Sequence, residues 1–112
     1  MGDFEEKEVE IIDKTKEFIF ECSYLDGIED IRRGGKVFGD QEKYRNQTEE
    51  GDLVFKMNVK DQKIEDFFDN FVDETKKAKE KIGKTVFFLK DGKPSDNKVD
   101  IYLVVKDIFR EN

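Results

Sequence analysis

The stretch Asp61–Gly83, DQKIEDFFDNFVDETKKAKEKIG, decides the fold. Ile64, Phe67, Phe68, Phe71, Val72, Thr75, Ala78 and Ile82 recur at the spacing of one face of an α-helix, about 3.6 residues per turn. Asp61 is the expected N-cap and Gly83 the expected left-handed stop. Acids crowd residues 61–75 and lysines residues 76–84, the order that the helix dipole favours. If this stripe faces a core, Phe68→Ala or Phe71→Ala should each cost about 3–5 kcal/mol.

On either side of this helix the apolar period changes to 2. Leu53, Phe55, Met57 and Val59 alternate with Val54, Lys56 and Asn58, which reads as a half-buried strand. Thr85–Lys90 is apolar on both faces and suits a central strand, and Asp91–Asn97 is a turn-rich connection. Val99, Ile101, Leu103 and Val105 alternate with Asp100, Tyr102 and Val104 in a last strand, which Ile108 and Phe109 extend or fold back upon. Upstream, Phe18, Phe20, Cys22 and Tyr24 alternate with Glu17, Ile19, Glu21 and Ser23, and read as a first strand ending at the turn signal Asp26-Gly27.

Residues 26–51 are Gly-rich and polar. They are expected to be a mobile region holding one short strand near Lys36–Phe38 and a second near Lys43–Arg45. Residues 1–8 read as a flexible acidic arm, leaving 9–112 as one domain. The expected architecture is α+β, in the order β-(β)-β-α-β-β. A mostly antiparallel sheet of four to six strands carries one long amphipathic helix on one face.

The chain has 112 residues, 44% of them charged, with a net charge of −7. Eleven Phe and three Tyr supply enough aromatic surface for a core in spite of that charge. Residues 1–30 carry 11 acids against 3 bases, whereas 31–60 carry 5 against 7. An acidic chain repels phosphate backbones, so direct nucleic-acid binding is disfavoured. No apolar run is long enough to span a bilayer, and the acidic start does not resemble a secretory signal. With one cysteine, the reading is a cytoplasmic protein without disulfides.

Histidine is absent, which removes Ser-His and Cys-His triads and the commonest ligand of transition metals. Cys22 reads as a buried structural thiol. The cluster Arg32-Arg33-Gly34-Gly35-Lys36 makes Arg32, Arg33 and Lys36 a candidate anion or partner contact, set against the plainer reading of a solvated hairpin tip. The acids of Asp91–Asn97 and of Asp26, Glu29 and Asp30 offer oxygens but lack the spacing of a calcium loop. No catalytic residues, metal ligands or cofactor are therefore assigned.

One surface remains. With Leu53, Phe55, Met57, Ile101, Leu103 and Val105 under the helix, the opposite face collects Ile19, Val54, Tyr102 and Val104, together with Phe87/Leu89 or Val86/Phe88. Either residues 26–51 cover that face or it meets a partner. The expected function is a small non-enzymatic binding or regulatory protein acting through contacts with another protein or with a second copy. Two alternatives stand beside it: an acidic mimic of nucleic acid that blocks a basic groove, and a calcium-responsive module.

Overall fold

The computed structural model describes residues 2–35, 47–92 and 99–110, with side chains from Glu6 onward. The elements are α1 (Gly2–Glu21), β1 (Leu25–Arg33), β2 (Leu53–Val59), α2 (Ile64–Ile82), β3 (Val86–Asp91) and β4 (Asp100–Val105). The four strands form one antiparallel sheet in the order β1-β2-β4-β3. The α+β class and the antiparallel sheet are as expected, but the described residues hold two helices rather than one, and α1 precedes the first strand.

The correction lies between residues 2 and 33. Residues 18–24 alternate like a strand, but Ile11, Thr15, Phe18, Ile19 and Cys22 also share one helical face, and these are the ones buried. Phe20, the residue that made the alternation convincing, is 90% exposed. The segment expected as an arm, 1–8, belongs to α1 from Gly2 onward. The first strand falls inside the expected Gly-rich loop. There Asp26-Gly27 is not a turn but the start of two register shifts against β2. Lys36–Phe38 and Lys43–Arg45 lie outside the described residues.

A second helix has a geometric reason. Four strands at about 4.8 Å spacing make a sheet wider than one helix of about 10 Å diameter can shield. Accordingly α1 lies over β1, α2 lies towards β3, and the helices touch each other. Beneath them Leu53, Phe55, Met57, Val86, Ile101, Leu103 and Val105 form one continuous core with Ile11, Phe18, Ile19, Phe67, Ala78 and Ile82. The strand faces assigned from the alternation of β2 and β4 are the observed ones, and in β3 it is Val86 and Phe88 that pack on the helix side.

On the far face Val54, Tyr102 and Val104 are buried together, with Phe87 and Leu89 packed against them. Ile19 is not among them, because it sits on α1 in the main core.

The termini of α2 mix confirmation with correction. Gly83 takes the left-handed conformation (φ 77°) and its N–H donates to Lys79 O at 2.8 Å, the stop that only glycine makes without strain. At the start the capping position is Lys63 rather than Asp61, and no side chain caps it.

Candidate functional site

The exposed apolar residues of α2 make the most distinctive surface. The helix buries Phe67, Glu74, Ala78 and Ile82. Lys81 reaches across to Glu17 (3.2 Å) and Glu21 (3.6 Å) of α1. Phe68 is half-buried, while Phe71 is 47% and Val72 56% exposed, against the expectation that both would be core.

Between that flank and β3 lies an apolar cavity of about 280 Å3 lined by Phe67, Phe68, Phe71, Phe88, Leu89 and Lys90. Its floor is built from aromatic rings in contact. Phe67 and Phe88 rings stand 5.1 Å apart at 83°, and Phe67 and Phe68 5.9 Å apart at 55°. Lys90 holds its ammonium 4.5 Å over the Phe68 ring, giving the rim a positive charge. Among the described residues β3 is the last strand of the sheet, and the cavity opens beside it.

A second hollow, of about 500 Å3, lies at the other edge between α1 and β1, lined by Lys16, Ile19, Phe20, Leu25, Asp26, Gly27, Ile28 and Lys60. It is shallower in chemistry as well as form, since charged side chains frame Phe20.

A third hollow, of about 410 Å3, lies between the helices, where Cys22 and Glu74 meet Phe18, Glu21, Lys77 and Lys81. The Cys22 thiol donates to Glu74 Oε2 (3.5 Å), and Lys77 Nζ donates to Glu74 Oε1 (3.2 Å). Burial, joined by the negative charge of Glu74, pushes the Cys22 thiol above its ordinary value. A protonated thiol is a poor nucleophile, in keeping with the structural role read from the sequence. Lys77 is in turn held charged by its bond to Glu74.

The residues singled out from the sequence are not brought together. Arg32 pairs with Asp30 (2.9 Å) and Arg33 with Glu8 of α1 (2.6 Å), at the far end of β1 from the α2–β3 cavity. Lys36 lies outside the described residues. Glu29 pairs with Lys56, and Asp30 accepts from the Ile31 N–H, so these acids serve the sheet. Among the described residues no group of three or more acidic, Cys or His side chains is arranged to hold a metal. Residues 93–98, most of the other acidic loop, are outside the described set. No helix of the described residues is long and apolar enough to cross a membrane.

One residue escaped the sequence reading. Asp52 is fully buried, and its carboxylate accepts from Lys106 Nζ (2.7 Å), the Glu49 N–H (2.7 Å) and the Asp107 N–H (3.0 Å). Its carbonyl takes the Gly34 N–H at 2.9 Å. A Cβ on Gly34 would stand 2.2 Å from Glu49 O, so this junction admits only glycine. Asp52 thereby pins the end of β1, the turn before β2 and the chain after β4. Among so many carboxylates, nothing in the local pattern marks this one.

Comparison with known proteins gives no match: no family model fits the chain, and no curated protein or solved structure is significantly similar to it, so the assignment rests on this geometry.

Proposed function

We propose that this chain is a small protein-binding or regulatory module whose contact surface is the apolar flank of α2 together with the edge strand β3. The observation that carries this reading is the exposure of Phe71 and Val72 beside an aromatic-lined cavity on an edge strand. Large apolar side chains left in water next to a preformed hollow gain free energy when something covers them. A partner in extended conformation gains on both counts, by pairing with the strand edge and by filling the cavity with a side chain. Binding rather than catalysis fits a sequence without histidine and a lone thiol kept protonated.

The nucleic-acid mimic draws on the acids of α1. Several of these are matched by cations: Glu10 with Lys14 (2.9 Å), Glu8 with Arg33, and Glu17 and Glu21 with Lys81. Pairing of this kind breaks up the continuous negative stripe that mimicry of a phosphate backbone requires.

The test is a photo-crosslinking side chain placed at position 71 and, as a control, at position 10 on the acidic face of α1. A protein adduct formed from position 71 and not from position 10 supports the reading. Equal or absent adducts at the two positions would remove it.

A further inference from the structure

We propose that the hollow of about 500 Å3 between α1 and β1 binds a free aliphatic carboxylate, its head on Lys16 and Lys60 and its tail against Phe20 and Ile28. The register of β1 builds the apolar wall. Asp26 stands opposite Asn58 and Ile28 opposite Met57, so Gly27 is an extra residue with no counterpart on β2. In a regular strand Leu25 and Ile28, three residues apart, would face opposite sides of the sheet. The bulge moves the alternation on by one, and both side chains pack on the helix side with the main core. Leu25 is fully buried there, whereas Ile28 is only half-buried.

Gly27 itself takes φ 62°, a conformation that residues with side chains rarely adopt. It adds no bulk to the wall, and a glycine bulge within a strand leaves room for another molecule to approach the backbone. From α1 come Ile19, buried in the core, and Phe20, which is 90% exposed. An apolar tail lying against Phe20 and Ile28 takes surface of both out of water.

Two cations line the same hollow, and charge selects the head group. Residues 1–30 carry 11 acids against 3 bases, yet among the described residues Lys16 forms no ion pair. Lys60 has no carboxylate partner among them either. Its Nζ donates to Cys22 O at 3.2 Å, just beyond the end of α1, which positions the ammonium and uses one of its three N–H donors. Asp26 also lines the hollow, so two lysines against one aspartate leave a single positive charge. A monocarboxylate matches that balance. A dianion meets repulsion from Asp26, and a cationic amphiphile meets repulsion from both lysines.

An NMR titration of the isotope-labelled chain with decanoate tests the proposal. The amides of Gly27, Ile28 and Lys60 should shift together and saturate, while those of Phe71 and Val72 on the far flank should not. Acetate has the head without the tail, and decyltrimethylammonium has the tail with the opposite charge; neither should saturate these amides. Lys16→Glu and Phe20→Ser, both at exposed positions and checked for an unchanged melt, should each raise the Kd for decanoate by about tenfold. Shifts that stay linear overturn the proposal, as does equal binding of decyltrimethylammonium or an unchanged affinity in Lys16→Glu. Saturation by an apolar peptide with a free C-terminal carboxylate, and not by decanoate, would replace the small molecule with a protein tail and overturn it too.

Discussion

At one edge of the sheet β1 carries Asp26, Glu29, Asp30, Arg32 and Arg33 and slips register twice; at the other, β3 runs Val86-Phe87-Phe88-Leu89 without a charge until Lys90. Both edges have a helix above them and an apolar hollow beside them. Their backbones nevertheless invite different neighbours. Charges and bulges are the usual devices by which a strand edge refuses another strand, because they misalign or desolvate whatever approaches. β1 has both devices and β3 has neither along its first four residues. The same contrast appears in the ion pairs, with Glu8 of α1 tied to Arg33 and Lys56 of β2 tied to Glu29 at the charged edge. At the bare edge aromatic rings meet one another instead.

The largest effect that bears on this contrast belongs to Phe67, whose ring touches Tyr24 on the β1 side (6.4 Å) and Phe88 of β3. Phe67→Ala should lower the unfolding free energy by about 3–5 kcal/mol, read from urea denaturation. A loss under about 1 kcal/mol would mean that the two edges do not share a core.

Asp52→Ala comes next, at about 3 kcal/mol, since it strands the Glu49 and Asp107 N–H groups and the half-buried Lys106. That variant should also speed amide exchange at Gly34, where β1 ends, while leaving β3 protected. Equal loosening of both edges would deny Asp52 its local role.

Smaller still is the contribution of Cys22. Its folded thiol ionises above the ordinary value of 9.0, so above pH 9.0 the unfolded chain releases a proton that the fold retains. Stability present below that pH is therefore lost as pH rises through the alkaline range. The fall in urea midpoint between pH 8 and pH 10 should be smaller in Cys22→Ala than in the parent, and an equal fall in both would refute the assignment.

The smallest effects belong to the exposed phenylalanines. Phe71→Ala and Phe20→Ala should each shift stability of the dilute chain by no more than about 0.5 kcal/mol. A Phe71→Ala cost as large as that of Phe67→Ala would put Phe71 in the core and leave the β3 edge without its patch.

That last pair shows how far the site was legible. Phe67, Phe68, Phe71 and Val72 share a helical stripe, and from spacing alone each is as good a core residue as the next. Phe67 and Phe71 lie about 40° apart on the helix, so only the tertiary neighbours of each ring separate the buried one from the exposed one. Arg32 and Arg33 stood out in the sequence because they are compact and basic, whereas the fold turns them to acids 2 and 25 residues away along the chain.

Local chemistry alone determined the helix ending at Gly83, the alternating strands β2 and β4, and which of their residues face the main core. In each case the period of the apolar residues has one reading, and side-chain direction follows from it without reference to the rest of the molecule. Tertiary structure decided α1, the edge position of β3 and the exposed flank of α2. Residues 18–24 satisfy a strand period and residues 11–22 a helix period at once, so only the area of sheet left uncovered chooses between them. A four-stranded sheet is too wide for one helix of about 10 Å; once a second lies beside the first, each must surrender part of its apolar face to the outside.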